Sequence, residues 1–312
     1  MRYLIIDKKQ RIERSSDSTY AVTRLTEELN ALGVQFLFAT TDDIQINMND
    51  GLEIEVLGES LKSFTHIILR GHRLHKPWEY ETKKIIADYI EQHNKTNPEN
   101  KILLQNIKSI QKLSYYDKLW IQKFCIENKI EIIPTKYISS GDYSTSLPTP
   151  FIIKDFTGEN DLRMIDGKEK IKKNVYLIEN SEELKQENLI NKDTSKYFVQ
   201  KFITTGQDLR IFVSNGKAIG GFSRTATAGF MTVNKGEYIS LNMTKENELA
   251  QLSELISSKF EADFIAIDLM KDEQGKYLLQ EISFNPGFKA YETKTTGEHA
   301  NIAKAIVQSF GK

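Results

Sequence analysis

The chain is 312 residues long and, at about 150 residues per domain, reads as two domains, each long enough to bury its own core. Its 42 Lys and Arg against 43 Asp and Glu leave a formal charge of -1, which excludes the whole-chain basic footprint of a nucleic-acid binder. A mean hydropathy of -0.44 and the lack of any apolar run near 18 residues predict no membrane span; a lone Cys125 and an N-terminus without signal-peptide regions predict a cytoplasmic protein.

The first run, RYLII at 2–6, predicts a strand; a Ser/Asp-rich start at 15–18 and the spacing of Ala21, Leu25, Leu29 and Leu32 predict a helix that stops at Gly33. Apolar runs at 34–39, 66–69 and 102–104 predict further strands, with a polar connector at 41–51 and a helix opened by Pro77 and continued by Ile85, Ile86, Tyr89 and Ile90. Alternating strands and helices predict a parallel sheet covered on both faces, so residues 1–110 read as a doubly wound α/β unit. A helix at 115–128 then leads to a run at 130–133, and Pro134, Gly141, Pro148 and Pro150 mark a connector. Beyond it, runs at 151–153, 175–178, 197–203, 209–213 and 218–222 are strands joined by segments too short for crossover helices. Asn215-Gly216 predicts a hairpin, and helices at 244–259 and 299–310 flank a second hairpin, 264–270 to 277–284. The second half is therefore predicted to be α+β with antiparallel sheets.

That second hairpin carries the strongest chemical signal. Asp268 ends the apolar strand FIAID and Glu281 ends the return strand YLLQE, so the two acids lie opposite each other and repel unless a cation separates them. Carboxylate oxygens suit Mg²⁺, and period-two alternation adds Ser283 and Asn285 to the candidate ligand row. The competing reading is a pair of solvated acids on an outer face. Lys154 closes the run FIIK, where a point charge suits a phosphate. The segment 157–173, with Thr157-Gly158, Asp166-Gly167-Lys168, Lys170, Lys172 and Lys173, reads as a basic loop over phosphates or as a solvated one. Arg210 and Arg224 sit on the strands around Asn215-Gly216, as anion-stabilising groups or rim salt bridges. Arg70, His72, Arg73 and His75 crowd the carboxyl end of the third strand; anion binding by the arginines is the better reading than a two-histidine metal site. Cys125 falls at a helix-core phase. No P-loop, dinucleotide fingerprint or nucleophile elbow occurs.

Taken together these segments resemble the ATP-grasp superfamily and, within it, the RimK-like carboxylate-amine ligases, over most of the chain from Tyr115 to Gln308. Asp117-Lys118-Leu119 resembles the family's D-K-L, Ile153-Lys154 its strand-end phosphate lysine, and Val199-Gln200-Lys201-Phe202-Ile203 its adenine hinge. Gly206-Gln207-Asp208-Leu209-Arg210 is similar to the ribose-holding G-x-D-I-R segment, and Arg224 with Asn234 to the pair beside the transferred phosphate. Ala266-Ile267-Asp268 with Glu281 resembles the two metal acids, and Pro286-Gly287 with Glu292-Thr293-Lys294-Thr295-Thr296-Gly297 resembles the family's S-P-G and E-K-T-T-G stretches. The chain departs from the pattern at Lys201, where the hinge has glutamate; in the longer, lysine-rich 157–173; and at Ser283, where the family has asparagine.

The resemblance implies a Rossmann-like pre-ATP-grasp domain (1–110), an ATP-grasp lid subdomain (111–195) and a C-terminal catalytic subdomain (196–312). It implies ATP held by Lys118, Lys154, Gln200, Lys201, Phe202, Asp208 and Asn234, Mg²⁺ or Mn²⁺ on Asp268, Glu281, Ser283 and Asn285, and catalysis by Arg224, Arg210 and Arg70. The implied reaction activates a carboxylate as an acyl-phosphate and joins it to an amine, with small-molecule or peptide substrates and neither nucleic acid nor membrane as partner. The alternatives are a macrocyclase cross-linking a precursor peptide and a nucleotide-binding module without ligase activity. Homo-oligomer formation stays open.

Overall fold

The computed structural model describes residues 1–7, 16–71, 77–112, 118–143, 148–155, 160–165, 168–173, 175–180, 182–183, 194–203, 205, 207–225 and 237–311. Four strands, β1 (Arg2–Asp7), β2 (Gln35–Thr40), β6 (His66–Leu69) and β7 (Leu103–Leu104), form a parallel sheet in the order β2-β1-β6-β7. Helix α1 (Ser16–Ala31) links β1 to β2, and α2 (Pro77–Thr96) links β6 to β7. Alternation divides the strands as a two-faced parallel sheet requires: Tyr3, Ile5 and Ile68 pack on Leu25 and Leu29 of α1, while Leu4, Ile6 and Ile67 pack on Ile86 and Ile90 of α2.

Strand structure begins inside the segment 41–51, expected as a polar connector, and continues beyond it to residue 60. Residues β3 (Ile44–Asn47), β4 (Glu53–Val56) and β5 (Glu59–Ser60) make a three-stranded antiparallel sheet. The strands are short and alternate Ile or Val with polar residues, so their apolar content is diluted; Ile54 and Val56 are nonetheless fully buried beside Leu61 and Phe64.

After α3 (Ile107–Lys112) and α4 (Lys118–Glu127), a second sheet is built from β8 (Thr135–Tyr137), β9 (Phe151–Asp155), β12 (Val175–Ile178) and β13 (Tyr197–Lys201), all antiparallel, in the order β12-β9-β13-β8. Residues 130–133, expected as a strand, make only an isolated bridge, Ile132 to Leu279, and the strand forms after Pro134 instead. The basic segment 157–173, expected as a loop, contains two six-residue strands, β10 (Asn160–Ile165) and β11 (Lys168–Lys173), paired antiparallel from Asn160–Lys173 to Ile165–Lys168. Lys, Glu, Asn and Asp are poor strand formers, which hid them from a composition reading.

The third sheet positions the site. Its order is β16-β15-β14-β17-β18, from β16 (Tyr238–Leu241), β15 (Lys217–Thr225), β14 (Gln207–Ser214), β17 (Phe264–Lys271) and β18 (Tyr277–Ser283). The β14–β15 turn places Asn215 at φ 49° and Gly216 at φ 75°, the two positive values a primed hairpin turn needs. One face, with Ile211, Val213, Ile265 and Ile267, packs on Leu249, Ile256 and Phe260 of α5 (Asn247–Phe260). The other, with Phe212, Phe222, Phe264 and Ala266, packs on Tyr291 of α6 (Lys289–Lys294) and on Ile302, Ile306 and Val307 of α7 (Ile302–Gln308). The last helix starts at 302 and α6 precedes it, where one helix over 299–310 was expected. Tyr3, Ile5, Leu25 and Leu29 belong to this same core, so the first sheet shares one of its faces with the end of the chain.

Candidate active site

The site follows from alternation along the third sheet. Residues two apart share a face, so the face that buries Phe212, Phe222 and Ala266 at one end carries Arg210, Asp208, Arg224 and Asp268 at the other. Register pairs Asp208 with Arg224, Arg210 with Asp268, and Asp268 with Glu281. A bulge follows Asp268, so Gln280 falls out of register and Glu281 turns onto the charged face. Four neighbouring strands thereby align five charges, Arg224, Asp208, Arg210, Asp268 and Glu281, which alternate in sign up to the two acids at the end of the row.

Arg210 grips Asp268 with a two-pronged pair, Nε to Oδ1 at 2.7 Å and Nη2 to Oδ2 at 2.6 Å. Arg224 donates from Nη2 to Asp208 Oδ2. Lys118, at the start of α4, brings Nζ to 3.4 Å from Glu281 Oε1. The repulsion expected between Asp268 and Glu281 is thus relieved by a guanidinium and an ammonium of the chain itself. Burial, and next the charge of Asp268, push the Asp208 carboxyl up to about 6. Burial works against the Arg210 charge, yet Asp268, Asp208 and Glu281 hold it protonated and raise its pKa above the ordinary range.

The cluster is not internally satisfied. Among the described residues Asp208 Oδ1 and Arg224 Nε are buried without a hydrogen-bond partner, as are Gln200 Oε1 and Asn285 Oδ1. These are four of the eight side-chain atoms so buried among the described residues, and all four stand at expected site positions, as a pocket built for a polar ligand leaves them.

Lys154, Gln200, Lys201 and Phe202 lie on or just after strands of the second sheet. Its one face, with Phe151, Ile153, Tyr197 and Val199, forms a core; the opposite face carries Ile152, Lys154, Phe198 and Gln200, all buried. Lys154 Nζ lies 5.9 Å from the Phe198 ring centroid. Gln200 donates to Thr135 Oγ1 at 2.9 Å, whereas Lys201 is exposed and donates its backbone N–H to Pro134. Ser283 Oγ accepts from the Asn285 backbone N–H at 3.2 Å, and the Asn285 side chain donates to the Arg70 carbonyl. Arg70 does not project into solvent: it is 4% exposed, pairs with Asp7 at 3.3 Å, and lies 6.0 Å over the Phe288 ring. Cys125 is fully buried and burial raises its thiol to about 12, as a packing residue requires.

Asn234, Asp117, His72, Arg73, His75, Thr157-Gly158 and Asp166-Gly167 lie outside the described residues, as do the side chains of 160–173. Among the described residues no three His, Cys, Asp or Glu gather as a metal centre; the acids form a pair. Three contributors were not anticipated: Asp7, Thr135 and Phe288. Asp7 had a signal, an acid closing an apolar strand (YLIID), the same form as FIAID at Asp268.

The fold is that of ATP-grasp ligases. The solved ATP-grasp ligase PsnB, complexed with a phosphomimetic variant of its minimal precursor, Mg and ADP, covers 98% of this chain and 98% of its own at a TM-score of 0.66 and 11% identity. The macrocyclase MdnC bound with precursor peptide MdnA, from Microcystis aeruginosa MRC, covers 99% of this chain and 98% of its own at 0.63 and 15%. In sequence, a probable alpha-L-glutamate ligase of Shewanella halifaxensis is 29% identical over 204 residues, 63% of this chain and 42% of that protein. The matches span only 25% to 42% of the curated relatives' lengths. A family profile described as the RimK-like ATP-grasp domain matches residues 127–310, and the chain belongs to that family. Among the described residues no helix is long and apolar enough to cross a membrane.

Proposed function

We propose that the protein is an ATP-dependent ligase that converts a substrate carboxylate to an acyl-phosphate and passes the acyl group to an amine, releasing ADP and phosphate. The observation that carries this reading is the row Arg224, Asp208, Arg210, Asp268 and Glu281 across four strands, with Asp208 Oδ1 and Arg224 Nε buried and unsatisfied. The donor set fits a hard divalent cation: Asp268 and Glu281 face each other in register, and Ser283 and Asn285 add neutral oxygens, one of them unpartnered. Mg²⁺ held there supplies charge neutralisation at the phosphates.

Arg210 holds Asp268 in place by both oxygens before any ligand enters. Lys118 and Lys154 add positive charge beside the phosphates, and Arg224 turns its free Nε toward the transferred group and the tetrahedral adduct that follows. Gln200, Lys201 and Phe202 line the base, with Lys201 leaving its recognition to the backbone; Asp208 binds the ribose and Asn234 the transferred phosphate. Arg70, fixed by Asp7, holds the junction with Asn285. The domain divisions at 110 and 195 separate a substrate unit, a nucleotide lid and a catalytic unit in this scheme.

A second reading, that the acceptor is a precursor peptide, is favoured by one observation: PsnB and MdnC, which share this fold, are described with precursors. ADP release is the test, measured with Mg-ATP against pools of amino acids, peptides and acids. Release stimulated by one acceptor pair, and lowered at least a thousandfold by Asp268→Asn with an unchanged circular dichroism spectrum, is expected. Full activity in Asp268→Asn contradicts the metal assignment, and release with no acceptor pair contradicts the ligase reading.

A further inference from the structure

The three-stranded sheet of the N-terminal unit ends in an open edge. Strand β3 pairs with β4, and among the described residues no strand pairs with its other side. Register fixes what that edge presents. The Leu57 N–H donates to the carbonyl of Asp43 directly across from it, so alternation makes Gln45–Glu55 and Asn47–Glu53 the hydrogen-bonded pairs of the ladder. Val56 turns its own main-chain groups the other way, to Glu59 across the Leu57-Gly58 turn. The main-chain groups of Ile44 and Ile46 therefore point away from β4. Among the described residues, the Ile44 carbonyl and both groups of Ile46 have no hydrogen-bond partner. Open edges are usually guarded by Lys, Pro or a bulge; the IQIN of β3 holds none of these and pairs without a shift.

The side chains of the same two residues line a cavity of about 250 Å³. They lie on the face of Ile54 and Val56, their register partners, while Gln45 and Asn47 are exposed on the other face. Ile6 and Ile86, both fully buried, give the cavity an aliphatic floor. Ile44, Ile46 and Leu69 are only partly buried and Trp78, on the wall, is 59% exposed, so apolar surface is left for a ligand to cover. Thr41 Oγ1 is buried in the same lining without a partner among the described residues, an orphan that a ligand N–H would satisfy. Gly71 also lines the cavity, one residue beyond the Arg70 whose carbonyl accepts from Asn285.

We propose that β3 and this cavity bind an extended segment of a peptide, which adds to the β3 edge as an antiparallel strand, as in the rest of that sheet. The open groups form a line of main-chain acceptors and a donor, which an extended main chain matches; a single amino acid reaches the two groups of Ile46 but not the Ile44 carbonyl as well. Peptide residues opposite Ile46 and Ile44 share their face, so two apolar side chains, two residues apart, enter the cavity. The residue between them faces water beside Gln45. The inference rests on the peptide reading of the acceptor only in calling the bound segment part of a substrate.

The probe is the capped peptide Ac-Ser-Leu-Thr-Leu-Ser-NH2, which has neither a free amine nor a carboxylate to ligate. Trp78 and Trp120 are the two tryptophans, so Trp120→Phe leaves Trp78 as the reporter. The peptide is expected to shift Trp78 emission saturably to the blue. Its analogue N-methylated at both leucines keeps the side chains but loses the donors to Ile44 and Ile46, and should bind about tenfold more weakly. Two variants should weaken the unmethylated peptide by about tenfold with unchanged circular dichroism: Thr82→Phe, which fills the cavity from α2, and Ile46→Pro, which removes the outward N–H and spares the bonds to β4. The proposal is overturned by no saturable shift, by equal binding of the N-methylated peptide, or by undiminished binding in either folded variant. Peptide binding by a protein that releases no ADP with any acceptor pair upholds the groove and overturns the ligase reading. ADP release stimulated by a peptide acceptor, with no shift from the probe, does the reverse.

Discussion

Asp208 shows how one residue carries both structural cost and function. Its carboxyl is raised from 3.8 to about 6, chiefly by burial, so the folded state binds a proton the unfolded state has released. Its contribution to stability is full below pH 3.8 and is lost as pH rises through 6. Asp208→Asn removes that slope: between pH 5 and 7.5 the stability difference from wild type should move in the mutant's favour by about 1 kcal/mol, read from urea midpoints. A difference that stays constant would contradict the assignment. His66 carries the opposite sign. Burial lowers its pKa below 6.5, in a stack with Tyr3 4.5 Å away, so acidification through that range should destabilise wild type more than His66→Phe. At this scale an acid or base at the end of an apolar run was the informative signal for Lys154, Asp268 and Glu281, although all three stand inside strands that run on to Asp155, Lys271 and Ser283, and the same signal at Asp7 was passed over. The sequence was silent on partners such as Arg210 for Asp268 and Lys118 for Glu281, because these depend on register between distant segments.

At the scale of elements, the hairpins were the most legible part of the chain. Asn215-Gly216 carries its turn geometry in two residues, and both adopt the positive φ expected of them. Gly216→Val should cost about 1 to 2 kcal/mol in urea denaturation, with no change in Mg-ADP binding, since the turn lies at the opposite end of β14 from Asp208. Loss of nucleotide binding at unchanged stability would show that the turn serves the site directly. Strands β3, β4, β10 and β11 escaped notice for a shared reason. They are short or rich in charged residues, and their pairing is decided by partners rather than by intrinsic preference. The bulge after Asp268 was equally hidden, yet it sets Glu281 opposite Asp268.

At the scale of the whole molecule, the ends of the chain are joined. Tyr3 donates to the Val307 carbonyl at 3.2 Å, Gln105 to those of Ile306 and Ser309 at 2.6 and 2.8 Å, and Glu292 receives Tyr20 and Arg24 of α1 while accepting the Ile302 backbone N–H. With one core running through both regions, the first sheet and the third should unfold in a single transition. Ile306→Ala, which removes a fully buried side chain between them, should lower that transition by about 2 to 5 kcal/mol without splitting it. Two separated transitions would contradict a shared core. A sequence pattern marks which face of a strand is apolar, not which distant helix covers it, so this arrangement lay beyond sequence reading.

The central claim, that the charged face of the third sheet and the lysine-bearing face of the second hold a nucleotide between them, is tested most directly by calorimetric titration of Mg-ATP into wild type and Lys154→Ala. Saturable binding to wild type, weakened at least tenfold by the substitution with the fold intact, is the predicted result. No binding to either protein would contradict the account.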